Sequence, residues 1–401
     1  MNRGEAVEIS ALATYRPVWA DKRGRRMAGN DEDSATLAIS SGRLLGSHLA
    51  SVDRVVLVGR RPDALLGTTP EVVLEGLGLD PGTPLVERLG GAPETLDALL
   101  SSAPGTLVIA IDQKTPTASA AALVGPGPVS IERCGQVRHS VPVRTVPLPG
   151  AADLLYDDPR LLRERGWKRV IQGLADDLEP ESLAVAGVPE QEVRRLAPKA
   201  EHGVAEVEAA SPLLVLACLS DVTGSTRLVG VENGHGLAVR VTVDGALPVF
   251  VEEREPWPAG AAQTPVGSIE LPASLAAYER AFEAKVGLKA GVCPCGTVHY
   301  PPRVRCQTCG SMYSQSLKPL PRAASIYSVV TVRAAVPGKT VPYSLAVVDL
   351  AGSDVRVLAH VTDHEPGRAG IGATGQLVLR RIATRAGIPD YGYAFQPEEQ
   401  S

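Results

Sequence analysis

Aromatic residues are scarce in this sequence, where they make up 4% of 401 residues. Positive charge is not in excess either, since the formal net charge is -5 at pH 7. Proteins that bind single-stranded nucleic acid combine a basic groove with aromatic stacking platforms. Both deficits therefore argue against a nucleic-acid partner.

Long apolar runs are also absent. No stretch approaches the roughly 20 apolar residues that cross a bilayer as a helix. The first ten residues, MNRGEAVEIS, lack the apolar segment of a secretory signal. We therefore expect a cytoplasmic protein that does not bind membranes.

The composition is that of a globular protein, with 44% hydrophobic and 21% charged residues. The length allows two or three domains with cores of their own. Six cysteines in a reducing compartment favour metal binding or free thiols over disulfides. Four of them lie close together, whereas Cys134 and Cys218 stand alone. The apolar helix predicted around Cys218 suggests a buried, inert thiol.

The first 250 residues alternate strand-like and helix-like segments. Buried strands are predicted at 54–59 and 106–111, and helices at 33–49 and 92–102. Acidic residues at 31–33 open the first helix, where negative charge suits the helix dipole. This alternation predicts a layered α/β fold.

A similar order of elements then follows, which suggests an internally duplicated α/β fold although no residue-level repeat is visible. The predicted elements are a helix at 159–178, a strand at 182–188, a helix at 211–221, and strands at 226–231 and 236–243.

The C-terminal third has a different pattern. Residues 252–270 are charged and then rich in proline and glycine, which predicts a linker, and a helix is predicted at 271–285. Short strands with turn residues between them predict a small all-β barrel. These strands are expected at 325–332, 343–350, 355–361 and 375–381.

Four cysteines form two pairs, Cys293 with Cys295 and Cys306 with Cys309, and ten residues separate the pairs. Four thiolates can close the tetrahedral shell of a structural zinc ion. The second pair has the two-residue spacing that turns both sulfurs toward one ion, and Gly310 permits the tight backbone. The first pair is one residue short, which predicts a distorted loop. A ribbon that has lost its metal is the alternative.

The residues around these cysteines resemble the acyl-CoA-associated zinc-ribbon/OB-fold family, domain of unknown function 35. The match covers about residues 271–397 and implies a zinc ribbon followed by an OB barrel. Members of that family pair with thiolases, ketosynthase-like enzymes or aldolases that handle CoA thioesters, so the resemblance implies such a partner. The residues that carry it are CGTVHYPPR at 295–303, CQTCGS at 306–311, SIYS at 325–328, VPYSLAVVDL at 341–350 and IG at 371–372.

The first 250 residues resemble the thiolase superfamily, and within it hydroxymethylglutaryl-CoA synthase. The resemblance implies duplicated α/β layers, which usually dimerise, and chemistry on acyl-CoA. That chemistry uses a cysteine nucleophile at a helix N-terminus together with a histidine and commonly an asparagine or a second histidine. The matching segments are RRMAGNDEDSATL at 25–37, AAALVG at 120–125, YDDP at 156–159 and GHG at 234–236.

The positions that match the catalytic residues of this superfamily carry none of them. The nucleophile is expected within 89–95, where Gly91 or Ala92 takes its place. Leu196 stands at the histidine position and Glu206 at the asparagine position. Glycine, alanine and leucine cannot act as nucleophile, acid or base. The resemblance therefore implies a catalytically inactive domain.

Two residues are alternative catalytic candidates, His235 and Glu206. His235 lies between two glycines, and a turn histidine is its simpler interpretation. Cys134 and His139 lie five residues apart on a predicted strand, so their side chains are expected on opposite faces.

The sequence thus predicts a thiolase-like domain at 1–251, a linker and helix at 252–290, a zinc ribbon at 291–318 and an OB-fold domain at 319–397. We expect an auxiliary or scaffold subunit of an acyl-transfer or C–C bond-forming complex on CoA thioesters. It would contain zinc, contact acyl-CoA, and join an active thiolase or ketosynthase-type enzyme as a homodimer or hetero-oligomer. The alternatives are an active acyltransferase or hydroxymethylglutaryl-CoA synthase-like enzyme with non-standard catalytic residues, and an OB-fold nucleic-acid module.

Overall fold

The fold is described from a computed structural model of the chain. The structure describes residues 6–60, 69–141, 158–175, 182–197, 200–203, 207–257, 263–270, 274–312, 316–334 and 341–398.

The N-terminal part begins with alternating strands and helices. They are β1 (Val7–Arg16), α1 (Ser34–Arg43), β2 (Arg54–Gly59), α2 (Thr69–Leu77), β3 (Leu85–Leu89), α3 (Ala92–Leu100), β4 (Thr106–Asp112) and β5 (Ala118–Val124). Every residue of β4 and β5 is buried, as expected of strands that are covered on both faces.

The same order of elements returns in the next stretch of chain. It contains β6 (Val129–Arg138), α4 (Pro159–Leu161), a π-helical turn (Leu162–Trp167), α5 (Lys168–Ala175), β7 (Ser182–Ala186), α6 (Glu190–Leu196), β8 (Ala200–Gly203), α7 (Ser211–Leu219), β9 (Gly224–Glu232) and β10 (His235–Val243).

Strand order shows that the two stretches are copies of one topology. The first stretch has the order β3-β2-β4-β5-β1, and the second has the equivalent order β8-β7-β9-β10-β6. In both, the first three strands are parallel and the fourth is antiparallel. Strands β1 and β6 pair antiparallel and join the copies into one sheet. The predicted duplicated α/β fold is confirmed.

Three apolar clusters define the layers. Helices α1 and α2 cover one face of the first copy, and α5 and α6 cover the outer face of the second. Helices α3 and α7 pack against each other and share a cluster with strands of both copies. The N-terminus of α3 therefore lies in the middle layer, between the two halves.

The chain then passes to smaller elements. Strand β11 (Val249–Glu253) pairs parallel with β1, and β12 (Gly267–Ile269) pairs parallel with a strand of the C-terminal barrel. Helix α8 (Leu275–Lys285) follows. The stretch 252–290, predicted as linker and helix, thus also contributes strand residues to both larger sheets.

Three short strands build the ribbon that carries the cysteines. They are β13 (Lys289–Val292), β14 (Val298–His299) and β15 (Ser316–Pro319), and β13 lies in the middle.

Five antiparallel strands form the C-terminal barrel. They are β16 (Ala323–Val332), β17 (Tyr343–Leu350), β18 (Arg356–His360), β19 (Thr374–Arg385) and β20 (Ile388–Pro397). Strand β16 pairs with β17 and β19, β17 with β18, and β19 with β20. A bridge between Val361 and Phe395 joins the end of β18 to β20. These pairings confirm the predicted OB-type barrel.

A buried ion cluster joins the barrel to the N-terminal part. The side chain of Arg380, on β19, is 1% exposed, and its Nη2 lies 2.8 Å from Asp363 Oδ2 and 3.6 Å from Glu32 Oε1. Its Nε lies 3.9 Å from Asp31 Oδ2. Asp31 and Glu32 belong to the segment before α1, so one guanidinium links carboxylates of both parts. An apolar cluster shared by α1, α2 and the barrel continues this contact.

Within the described residues, no helix has the length and apolar character needed to cross a membrane.

Candidate functional site

Helix α3 begins at the position where the sequence resemblance places a cysteine nucleophile. Gly91 is the N-cap residue, and no side chain caps the helix from that position. The backbone N–H of Gly91 instead donates to Glu232 Oε2 at 2.7 Å. Glu232 ends β9 in the second copy, so a carboxylate from one half occupies the helix N-terminus of the other. A helix N-terminus favours such negative charge.

Arg60 and Glu208 complete this arrangement. Arg60 Nε lies 2.9 Å from Glu232 Oε1, and Arg60 Nη1 lies 2.5 Å from Glu208 Oε1. The guanidinium therefore bridges two carboxylates beside the start of α3. A carbon atom added to Gly91 as a Cβ would lie 3.2 Å from the Glu232 carboxylate, so even an alanine there would crowd it.

Asp112, at the end of β4, holds the loop that precedes α7. Its carboxylate accepts the backbone N–H groups of Glu208, Ala209 and Ala210, each at 2.9 Å. Burial raises the pKa of Asp112 to about 6, against the opposing effect of these three donors. The carboxylate thus uses three of its acceptor positions to hold the backbone before α7.

His235 lies on β10 and is paired in register with Glu232 across the β9–β10 turn. Its Nε2 lies 2.9 Å from Gln136 Nε2, a contact with a neutral amide. Burial, followed by the charge of Arg138, lowers the pKa of His235. His235 therefore contacts a neutral glutamine, and the charge of Asp97 partly offsets the lowering of its pKa.

The other positions singled out in the sequence are dispersed. Leu196 ends α6, and Glu206 lies outside the described residues. Cys134 is exposed on β6. The prediction of a buried thiol at Cys218 is wrong, because this residue near the end of α7 is exposed to solvent. The apolar character of α7 comes from its neighbours, which fill the middle layer.

Arg60, Glu208, Glu232 and Asp112 were not identifiable from the sequence pattern. Each lies at the end of a strand or in a loop, and each meets its partners across more than 90 residues of chain. Charged residues such as Glu232 at the end of β9 and Arg60 after β2 are common at strand ends. The duplicated strand order alone brings them together.

The four clustered cysteines come together as the spacing predicts. The four Sγ atoms all lie within 4.8 Å of one another. Cys293 Sγ lies 3.6 Å from Cys309 Sγ, and Cys295 Sγ lies 3.7 Å from Cys306 Sγ. A tetrahedral zinc ion with Zn–S bonds of about 2.3 Å requires sulfurs about 3.8 Å apart. These four sulfurs therefore fit a tetrahedral metal ion.

Both cysteine loops close in a similar way, despite the shorter first pair. The Cys293 N–H donates to Thr297 O, and the Gly296 N–H donates to Cys293 O. In the second loop the Cys306 N–H donates to Ser311 O, and the Gly310 N–H donates to Cys306 O. Gly296 and Gly310 both have positive φ, of 88° and 71°. The first loop is one residue tighter, but both loops close through a glycine in the left-handed region.

His299 adds a neighbour that the cysteine spacing did not indicate. It is buried, and its Nε2 lies 3.3 Å from Cys306 Sγ. Backbone N–H donation from Cys309, together with His299, lowers the pKa of Cys306 to about 5. A thiolate is the form that binds metal.

Comparisons with known proteins identify the C-terminal part of the chain. A family model described as the C-terminal OB-fold domain of ChsH2 matches residues 317–380. A DUF35 domain-containing scaffold protein of Pyrococcus furiosus is 32% identical over 130 residues, which is 31% of this chain and 94% of that protein.

Solved structures are similar in fold at low sequence identity. AbyA1, a tetronic acid condensing enzyme, is 17% identical, with a TM-score of 0.47 over 59% of this chain and 99% of its own. An HMG-CoA synthase complexed with CoA is 13% identical, with a TM-score of 0.47 over 60% of this chain and 83% of its own. An Ltp2-ChsH2(DUF35) aldolase chain is 22% identical, with a TM-score of 0.25 over 30% of this chain and 90% of its own.

These structural similarities concern the fold and carry no information about activity. The duplicated strand order is the evidence for the layered α/β part, and the strand pairing and family model are the evidence for the OB barrel. The sequence match spans nearly the whole of the archaeal scaffold protein, and the chain therefore belongs to the DUF35 family.

Proposed function

We propose that this protein is a catalytically silent auxiliary or scaffold subunit of a cytoplasmic complex. The complex performs acyl transfer or carbon–carbon bond formation on CoA thioesters, and an active thiolase or ketosynthase-type enzyme supplies the nucleophile. The observation that carries this proposal is the start of α3, where Gly91 has no side chain and its N–H is bonded to Glu232.

A catalytic thiol at a helix N-terminus gains its low pKa from the free N–H groups and dipole of that helix. In this protein an internal carboxylate uses that position, and Arg60 neutralises the carboxylate. The arrangement supports a structural role, because it ties the two halves together and Gly91 offers no nucleophilic side chain. Members of the DUF35 family, including the archaeal relative named as a scaffold protein, provide the context.

A cavity of about 410 Å³ supports acyl-CoA as the ligand. Its lining includes Arg16, Arg23, Arg25 and Arg26, together with Val207, which adjoins Glu208 of the Arg60 ion pair. Glu253 is the acidic residue of the lining and pairs with Arg16 and Arg26. The lining is thus positive on a chain whose net charge is -5. The pyrophosphate and 3′-phosphate of CoA are the groups that such a surface attracts.

This part of the proposal is tested by titrating the full chain with CoA. Arg23→Gln is expected to weaken binding about tenfold, since a hydrogen bond to a charged group contributes about 1.5–3 kcal/mol. Arg160→Gln, at a side chain 86% exposed on a remote helix, is the matched control. Equal CoA affinity in all three proteins would remove acyl-CoA from the proposal.

The edge strand β3 supports a docking role. Among the described residues β3 pairs with β2 alone, so its outer backbone edge has no strand partner. Leu89 and Val86 are exposed on this edge, at 66% and 38%. Unprotected edge strands pair readily with another chain. We place the contact with a second copy or with the partner enzyme here.

The scaffold role is tested with a cysteine-bearing thiolase or ketosynthase-type enzyme as the candidate partner. Size-exclusion chromatography with light scattering should show a complex, which Leu89→Lys weakens. Val222→Lys, at another exposed apolar position outside the sheet edge, should leave the complex intact. Absence of any complex with the unmodified chain, together with full activity of the enzyme alone, contradicts the proposal.

The alternative of an independent acyltransferase, with His235 and Glu206 as catalytic residues, has less support. His235 contacts Gln136, and the described residues do not include Glu206. Turnover by the isolated protein that is lost in both His235→Ala and Glu206→Ala would favour this alternative over the scaffold role. For the nucleic-acid alternative, a gel shift with single-stranded DNA at low salt is the corresponding test.

A further inference from the structure

A second arginine-lined cavity, of about 310 Å³, lies between the N-terminal part and the barrel. Helix α1 contributes Arg43 from its last turn, and the barrel contributes Arg322, just before β16. The cavity is separate from the one lined by Arg16 and Arg23 and shares no residue with it.

The two arginines converge on a single backbone carbonyl. Arg43 Nη1 donates to Gly76 O at 2.8 Å, and Arg322 Nη2 donates to the same oxygen at 3.4 Å. The two nitrogens therefore lie within 6.2 Å of each other, the sum of those distances. Arg322 Nη2 also donates to Tyr393 Oη at 2.7 Å, and the Tyr393 hydroxyl donates to Val286 O.

Neither guanidinium has a carboxylate within 4.0 Å among the described residues. Glu252 lines the same cavity, but its carboxylate lies 3.3 Å from Gln396 Nε2 and 4.0 Å from Arg254 Nε. Burial, followed by the charge of Arg322, lowers the pKa of Arg43 to about 10. Two like charges thus meet in a half-buried cavity, compensated only by neutral oxygens and the C-terminal end of α2.

We propose that this cavity binds an anionic group, a phosphate or carboxylate of a small ligand, between Arg43 and Arg322. Each guanidinium carries five N–H donors, and the contacts described use one nitrogen of each. Planar guanidinium groups recognise phosphate and carboxylate in a bidentate manner. The cavity volume suits a small ligand. Because residues of both parts line it, the anion would join the barrel to α1.

The probes for this site are inorganic phosphate and acetate, each titrated into the full chain against chloride at matched ionic strength. Phosphorus NMR line broadening and the shift in Tm measure binding. Arg43→Gln and Arg322→Gln are each expected to weaken phosphate binding about tenfold. Arg160→Gln, at a side chain 86% exposed and outside both cavities, should bind phosphate as the unmodified chain does. Arg23→Gln weakens the first cavity, so titrating CoA into this variant tests whether the second cavity binds a phosphate carried on CoA as well as free phosphate.

Three outcomes overturn this proposal. One is equal phosphate affinity in Arg43→Gln, Arg322→Gln and the unmodified chain, and another is no binding of either probe by the unmodified chain. The third is that Arg43→Gln is less stable in chloride while neither phosphate nor acetate changes the Tm of any variant. Arg43 would then only cap the C-terminal end of α2. Arg43→Lys keeps the charge but loses the fork of donors, so it is expected to fold and to bind weakly. A negative result here leaves the scaffold role unaffected.

Discussion

The carboxylate of Glu232 accepts the backbone N–H of Gly91 at 2.7 Å, and so caps helix α3 from the opposite half of the duplicated fold. A structural carboxylate thus occupies the position that a catalytic nucleophile would take. Where a nucleophile would draw on the helix dipole, an acidic side chain draws on it instead, and Arg60 fixes that side chain in place.

Replacing Glu232 by alanine should destabilise the protein by about 1–2 kcal/mol. The substitution removes a helix cap and leaves Arg60 with a single carboxylate partner, Glu208. Urea unfolding of the full chain measures the loss. Glu232→Gln, which keeps an acceptor for the Gly91 N–H, should lose less, and an equal loss in both variants would show that the cap contributes nothing.

Replacing Arg380 by methionine should cost about 3–5 kcal/mol. The substitution leaves Asp31, Glu32 and Asp363 buried without their cation, and breaking one side of a buried ion cluster carries this cost. Arg385→Met is the control on the same strand, because its pair with Asp390 is partly exposed. Unfolding free energies within about 1 kcal/mol of each other for the two variants would contradict this role for Arg380.

Stability should depend on pH in a direction opposite to that of ordinary carboxylates. Burial raises the pKa of Asp31 to about 6 and that of Glu32 to about 7, from the ordinary values of 3.8 and 4.5. The folded state therefore holds protons that the unfolded state has released. The contribution of these groups is greatest below about pH 4 and declines as the pH rises through 7.

The measurement is the unfolding free energy at about pH 5 and at about pH 7.5, in the unmodified chain and in Asp31→Asn. The unmodified chain should lose stability over this interval, by about 1.4 kcal/mol for Asp31 alone. Asp31→Asn should lose less. A stability that rises by the same amount in both proteins contradicts the raised pKa values.

Zinc should bind at one ion per chain through the four clustered cysteines. Cys306→Ser is expected to lose the metal and to lower the Tm, because structural zinc contributes directly to folding. Cys134→Ser alters an exposed cysteine outside the cluster and is the matched control. Elemental analysis of protein purified without chelator decides the matter, and a metal content that is unchanged in Cys306→Ser excludes this site.

Much of the fold follows from patterns that are local in the sequence. The apolar run of β4, the alternation of strands and helices, and the spacing of Cys306 and Cys309 each predict their element without knowledge of the rest. The short first cysteine pair predicts a distorted loop, whereas both loops close with matching backbone hydrogen bonds and a positive-φ glycine.

The contacts that define the sites are long-range and could not be predicted in this way. Acidic residues at 31–33 suggested favourable charge at the start of α1, and Asp33 does cap that helix. Asp31 and Glu32 instead meet Arg380, which follows them by about 350 residues. A charged residue on a strand gives no sign of its partner, and the packing of the barrel against α1 and α2 decides it.

The central claim is that the nucleophile belongs to the partner enzyme. The most direct measurement is turnover by the reconstituted complex after the nucleophilic cysteine of the partner has been replaced by alanine. Complex formation by the altered partner is confirmed first, so that loss of binding cannot imitate loss of chemistry. The account predicts no acyl transfer or carbon–carbon bond formation by that complex. Turnover that persists, and that disappears when this chain is omitted, would contradict it.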